Sequence, residues 1–211
     1  SSGAFLTKKH YILNIRDDED RKVDKFLYKG VEVVKTSTPK KVKPLIKHTI
    51  ETLIKKGDKK EIEKILQDTY DKYQSFDVED VAVPISLNGY AKYYAMSAGF
   101  TIGKKTPIHV KGAIYYNLLL KKLEIDKKYE SLKGGDKIKM MYLLPNEYDI
   151  KVISFINKFP DELKSIFKVD KDIMFEKTVL KPIKRVFDAI NWEVRNPLLQ
   201  EKVDIIDMFG T

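Results

Sequence analysis

Cysteine is absent from the 211 residues, which excludes a disulfide scaffold, a thiol nucleophile and any thiolate-held zinc or iron–sulfur site. Nothing in the chain requires an oxidising compartment. Long apolar runs are also lacking: no stretch approaches the roughly 20 apolar residues of a membrane-spanning helix, so such a span is excluded. The opening Ser1-Ser2-Gly3-Ala4 carries no basic segment followed by an apolar one and reads as a tag remnant or a cut end, not a secretory signal. Ser1 to Gly3 are therefore left out of the fold expectations. The three histidines, His10, His48 and His109, lie far apart and none has the paired helical spacing of a zinc hydrolase. A Walker-type phosphate loop and a G-x-S-x-G elbow are missing as well. No catalytic centre is recognisable.

Arginine is scarce: Arg16, Arg21, Arg185 and Arg195 are the only four among 40 basic residues, the rest being lysine. Lysine is a mobile point charge suited to phosphate, whereas the planar arginine fork reads guanine edges. The skew favours contact with a nucleic-acid backbone over readout of sequence, although a compositional bias in the gene would produce it too. The net charge is +9 and unevenly spread: +2 over residues 1–30, +6 over 31–60, −5 over 61–90, +7 over 91–145 and −1 over 146–211. Two basic blocks flanking an acidic one suit a polyanionic partner, because clustered cations release condensed counterions when they meet phosphates. A solvated charged face is the plainer reading of the same pattern.

The periodicities give a mixed chain. Residues 5–35 alternate polar and apolar around Asp17-Asp18-Glu19-Asp20 and predict two or three antiparallel strands. Thr38 followed by Pro39 predicts a helix start, with Val42, Leu45, Ile46, Thr49, Ile50, Leu53 and Ile54 on one face and Gly57 closing it. Pro44 inside that helix predicts a kink or a separate first turn. Asp58 with Glu61 forms a capping box for a second helix whose buried stripe is Ile62, Ile65, Leu66, Thr69, Tyr70 and Tyr73, so the two make a helical hairpin. Val78 to Leu87, broken by Pro84, reads as extended. Thr106-Pro107 opens a helix running to about Leu123. Ile138, Met140 and Tyr142 alternate with lysines and pair with Ile150 to Phe155 in a small sheet. From Pro160 the pattern is helical again, over Asp161 to Phe167 and then Asp170 to about Ile190, with Pro182 an internal break or a new first turn. Lys177, Lys181 and Lys184 recur at helical spacing and share one face.

Candidate binding features follow from these elements. Lys8, Lys9 and Tyr11 sit in one extended run; Lys35, Thr36, Ser37 and Thr38 gather a cation and hydroxyls at a helix start, where free N–H groups suit a phosphate. Tyr90, Tyr93 and Tyr94 interleave with Lys92, Lys104 and Lys105, a nucleic-acid surface or simply core. Asp17, Asp18 and Asp20 invite a magnesium reading. Successive side chains of an extended turn point to opposite faces, however, and a solvated turn is the simpler account.

Taken in chain order, Thr7-Lys8-Lys9-His10-Tyr11, Lys35-Thr36-Ser37-Thr38-Pro39, Pro107-Ile108-His109-Val110-Lys111-Gly112, Glu176-Lys177-Thr178-Val179-Leu180-Lys181-Pro182 and Asp207-Met208-Phe209 resemble the C-terminal end of T-even-like bacteriophage family B DNA polymerases. The resemblance runs from about Phe5 to Phe209. It implies an α+β chain: a palm-edge β segment over residues 1–35, a mostly helical thumb with a small inserted sheet over 36–200, and a mobile clamp-binding peptide over 201–211. In the family the palm-edge strand touches the primer-template minor groove, at positions matched by Lys9 and Tyr11, while His10 stands where the family has arginine. The Ser37-Thr38-Pro39 start opens the thumb, which wraps the product duplex. Lys111, Lys177 and Lys181, with Lys184 on the same face as the last two, would then approach the DNA backbone. Ile205, Ile206, Met208 and Phe209 occupy positions of the peptide that docks into the sliding clamp, with Ile206 in place of an aromatic.

The family's two metal-bound palm aspartates and its nucleotide-binding fingers helix have no match in these residues. The resemblance thus implies a piece of a nucleotidyltransferase, an excised thumb or one product of a split gene, that needs no cofactor of its own and cannot polymerise alone; magnesium would belong to the complete polymerase. The implied partners are primer-template duplex DNA, the sliding clamp and a separate polypeptide carrying the polymerase and exonuclease domains, in the host cytoplasm and without a membrane. Three rivals remain on sequence grounds: an autonomous basic nucleic-acid-binding protein unrelated to polymerases, a magnesium-dependent nuclease built on Asp17, Asp18 and Asp20, and a helical interaction module with no nucleic-acid role.

Overall fold

The computed structural model describes residues 3–7, 10–13, 38–55 and 59–186; side chains before residue 38 and at 54, 55 and 59 are outside the description. In chain order the elements are β1 (Gly3–Thr7), β2 (His10–Leu13), α1 (Val42–Lys55), α2 (Lys59–Gln74), α3 (Val78–Val81), β3 (Val83–Ser86), α4 (Tyr90–Ala95), α5 (Ile108–Lys122), β4 (Lys137–Tyr142), β5 (Val152–Phe155), α6 (Asp161–Ile166) and α7 (Lys171–Phe175), followed by a π turn at Glu176–Leu180 and further helix over 181–186. The α+β class expected from the periodicities is the class observed. The chain divides into two compact units, one made of residues 1–76 and 175–211 and the other of 77–174.

In the first unit β1 and β2 pair antiparallel, Phe5 opposite Tyr11, in the stretch where strands were expected. The remaining strands expected up to residue 35, the Asp17–Asp20 turn and the Asp58 cap lie outside the described residues. Next, α1 and α2 form the expected hairpin. Val42, Leu45, Ile46, Thr49, Ile50 and Leu53 are buried on α1, against Ile62, Leu66, Thr69 and Tyr73 on α2. Thr49 and Thr69 meet across the seam at 2.9 Å while each hydroxyl also reaches a carbonyl one turn back, Leu45 O at 2.8 Å and Ile65 O at 2.7 Å. Two hydroxyl protons thus serve three short contacts, so one contact is made only in turn with another.

Both internal prolines are resolved by local changes of backbone. The amides of Val42 and Lys43 close a single turn on Pro39 O, at 3.0 and 3.2 Å, so Pro39 supplies the capping carbonyl instead of the first helical residue. Pro44 then falls third in α1, within the first turn, where a missing N–H has no intrahelical partner to lose. At the other end, Pro182 is preceded by the π turn, in which the Lys181 N–H donates to Glu176 O. Widening the ladder ahead of the proline accommodates the lost amide, and the chain stays helical on both sides. The turn buries Thr178, Val179 and Leu180 and is followed by buried Ile183 and Val186.

Phe76 and Phe175 mark where the chain leaves the first unit and returns to it. Both rings pack on buried Tyr73, at 6.1 and 5.2 Å between centroids. All three rings belong to the first unit. Burial pushes the Tyr73 phenol up to about 12, with the Thr178 hydroxyl pulling weakly the other way.

The second unit is built on a three-stranded antiparallel sheet in the order β3-β4-β5, with Val83 opposite Met140 and Met140 opposite Ser154. The expected β4–β5 pairing is present. The expected extended run over Val78 to Leu87 is only half so: Val78–Val81 forms a helical turn, closed by Val81 and Ala82 amides on Asp77 and Val78 carbonyls, and the strand starts after it. Pro84 is tolerated there because β3 is an edge strand with β4 on one side only. Helix α5 begins as expected, except that its first N–H groups, those of Val110 and Lys111, bond to Pro107 O and Thr106 makes no capping bond. It lies directly on β5. An added Cβ at Gly112 would stand 2.6 Å from Ser154 Oγ and 2.8 Å from the Ile153 carbonyl carbon, so only glycine permits this approach. Around that contact Ala113, Tyr116, Leu120, Ile153, Phe155 and Phe159 form the centre of the core.

Candidate nucleic-acid interface

The lysine face expected near the C-terminal side of the first unit is present. Lys177 and Lys181 are exposed and Lys184 is half-buried, while Thr178, Val179, Leu180, Ile183 and Val186 turn inward. The π turn explains why the ammonium groups stay outside: it widens the backbone ahead of Pro182 without turning the apolar face from the core. Lys181 Nζ lies 3.6 Å from the Glu176 carboxylate, with half of the lysine side chain exposed. An exposed pair of this kind is worth about 0–1 kcal/mol and gives way readily to a phosphate.

The other residues singled out in the sequence are placed as follows. Tyr11 lies in β2, opposite Phe5, with only its backbone described. Thr38 is buried, at 7% exposure. Lys8, Lys9, Lys35, Thr36 and Ser37 fall outside the described residues, as do Ile205, Ile206, Met208 and Phe209. Lys111 belongs to the second unit, in the first turn of α5, and its Nζ donates to Lys104 O at 3.4 Å. The structure thus brings Lys177, Lys181 and Lys184 onto one helix, and Lys111 close to Lys104.

Between α1 and α2 lies a groove of about 470 Å³ lined by His48, Glu61, Lys64, Asp68 and Lys72 among others. Its charges alternate in sign, which suits water and counterions better than a polyanion. Among the described residues no three His, Asp or Glu side chains converge where they could hold a metal ion. No helix among them is long and apolar enough to cross a membrane.

The tyrosines of 90–94 are not core. No residue of α4 is buried. Tyr90 is half-buried and its hydroxyl accepts a hydrogen bond from Asn117 Nδ2 at 2.7 Å, while Tyr94 stacks on it at 5.6 Å and 10° and is 42% exposed. Asn117 is itself fixed, donating to Leu132 O and accepting from Leu132 N, both at 2.8 Å. Sequence reasoning missed it, since a polar residue in the middle of an apolar helix gives no sign of the loop it will hold. It also missed Glu79. Burial works to raise that carboxyl, but the Phe159 N–H at 3.0 Å and the Lys164 ammonium at 3.1 Å outweigh it and hold it below its ordinary value. Burial likewise keeps His109 below the usual imidazole value. None of these titrations forms a catalytic pair.

No protein-family model matches the chain. Two known proteins do. Over 215 residues the chain is 24% identical to a DNA-directed DNA polymerase of Enterobacteria phage T4, covering 99% of this chain and 22% of that protein. Over 218 residues it is 28% identical to a DNA-directed DNA polymerase of Escherichia phage RB69, covering 98% of this chain and 22% of that protein. The chain spans about a fifth of the length of these relatives, and its resemblance to T-even-like phage polymerases extends along nearly all of its own.

Proposed function

We propose that this chain, similar from end to end to about a fifth of two phage DNA polymerases, is the palm-edge and thumb part of a replicative family B DNA polymerase. The observation that carries this reading is the coverage: 98–99% of the chain aligns while 22% of each relative does. Its role is to hold primer-template duplex through phosphates and the minor groove, without sequence preference. Lys177, Lys181 and Lys184 supply cations from one helix, and Lys8, Lys9 and Tyr11 supply the minor-groove edge. Chemistry resides in a separate polypeptide or in further sequence of the same enzyme, where palm carboxylates hold magnesium. The C-terminal Ile205, Ile206, Met208 and Phe209 tether the enzyme to the sliding clamp, and the whole works in the cytoplasm of an infected host.

Salt dependence tests the duplex reading. Each phosphate neutralised adds about −0.9 to the slope of log K against log salt. Fluorescence anisotropy with a labelled primer-template should therefore give a steep slope for the wild-type chain, flatter by about 1.8 for Lys177→Ala/Lys181→Ala. An unchanged slope removes this helix from the interface, and salt-independent binding favours an interaction module instead.

A further inference from the structure

Resting on that reading, the duplex-holding role draws only Lys111 from the most unusual stretch of the second unit. Between Asp80 and Glu124 the sequence contains no carboxylate, yet it holds Lys92, Lys104, Lys105, Lys111, Lys121 and Lys122. Among the described residues none of these six lysines is in an ion pair, whereas Lys128, Lys158, Lys164 and Lys181 each have a carboxylate within 4 Å. The same stretch carries Tyr94, Met96, Phe100 and Ile108, four of the five large apolar side chains that stand exposed among the described residues. Positive charge without compensation and apolar surface without cover coincide.

The aromatic rings are arranged in two pairs, each with a half-buried inner ring and an exposed outer one. Tyr90 is held through its hydroxyl by Asn117, and Tyr94 stacks on it. Tyr115 stands on α5, and Phe100, 37% exposed, stacks on it at 6.2 Å and 20°. A short turn closed by the Ala98–Thr101 bridge, with Gly99 at φ 58°, joins the two outer rings along the chain. Lys122 lies over Phe100 at 5.5 Å, so a cation borders that pair, and Lys92 lies over the neighbouring Tyr93 ring at 5.4 Å. One carboxylate, Asp149, acts on the inner Tyr115 from the β4–β5 turn.

We propose that the segment 90–105 is a second nucleic-acid site, which takes unpaired bases of a single strand on Tyr94 and Phe100 and their phosphates on Lys92, Lys104 and Lys105. Rings fixed from behind lose little freedom when a base stacks on the open side, and every base has a face to offer. A buried protein interface also favours tyrosine and methionine. What selects a nucleic acid is the absence of any carboxylate over the whole stretch together with six lysines that make no ion pair among the described residues. A duplex hides its base faces, so this site is distinct from the lysine helix that the duplex reading uses.

The test measures anisotropy of three labelled probes on the full chain: oligothymidylate, an abasic strand of equal length, and a blunt duplex. Oligothymidylate should bind at least tenfold more tightly than the abasic strand. Tyr94→Ala should cost oligothymidylate about tenfold, the loss of one stacked base, and leave the duplex within about twofold; Tyr94→Phe should retain binding. Because Tyr94 is exposed, circular dichroism should show both variants folded. Equal binding of thymidylate and abasic strands, or an unaffected Tyr94→Ala, overturns the proposal. So does Tyr94-dependent self-association or capture by phosphatidylserine vesicles without strand binding, which would assign the patch to a second copy or a membrane. Loss of the duplex slope in Lys177→Ala/Lys181→Ala bears only on the other reading.

Discussion

Gly112 shows how one residue sets a whole interface. Helix α5 touches β5 where an added methyl would meet backbone, at 2.8 Å from Ile153 C and Ser154 N, as well as the Ser154 hydroxyl at 2.6 Å. The hydroxyl can rotate but the backbone cannot, and it is already committed: Ser154 Oγ donates to His109 O at 2.8 Å. Alanine would gain about 1 kcal/mol of helix propensity and lose about 1–3 kcal/mol to overpacking. Gly112→Ala should therefore lower the denaturant midpoint with an unchanged m-value, and adding Ser154→Gly should restore only part of it. A midpoint at or above wild type would mean that the helix and strand can separate freely. In the sequence this glycine is visible only as a weakness inside a helix; the strand that requires it lies some 40 residues further on.

At the scale of elements, ion pairs and hydrogen bonds fix loops that propensity does not. The Glu162 carboxylate near the start of α6 accepts from Lys128 Nζ and Tyr129 Oη, both at 2.6 Å, and these bonds hold it down to about 2. Its folded value lies below the unfolded one. The contribution is thus complete above the ordinary carboxylate value and fades as pH falls from there through about 2. Wild type and Glu162→Gln should differ most in urea midpoint near neutral pH and converge toward pH 2. Parallel curves across that window would show that the contact adds nothing to folding.

The same scale separates what the sequence discloses from what it hides. Helices α1, α2 and α5 and strands β4 and β5 follow from local period and start signals, because each is long enough to carry its own stripe. The Val78–Val81 turn does not: four residues rich in valine favour extension on their own, and the helical form depends on Asp77 and Val78 carbonyls closing it. Strand β3 finds its partner more than 50 residues away, beyond any local pattern. Lysines at 177, 181 and 184 were legible as a face because helix spacing alone brings them together. The exposure of Tyr94 was not, since a tyrosine cluster reads alike on a surface and in a core until the packing is known.

For the whole molecule, the chain order places the second unit as an insertion: the first unit is left at Phe76 and rejoined at Phe175, both seated on Tyr73. The C-terminal peptide belongs in sequence to the far end of the chain, beyond the lysine helix, so its proposed partner and the duplex need not compete for the same side chains. Deleting residues 205–211 should abolish capture by immobilised sliding clamp while leaving primer-template affinity and its salt slope unchanged. Phe209→Ala should reproduce most of that loss. Equal clamp capture by the deleted chain would remove the tether from Ile205, Ile206, Met208 and Phe209; a parallel fall in duplex affinity would instead place those residues on the DNA.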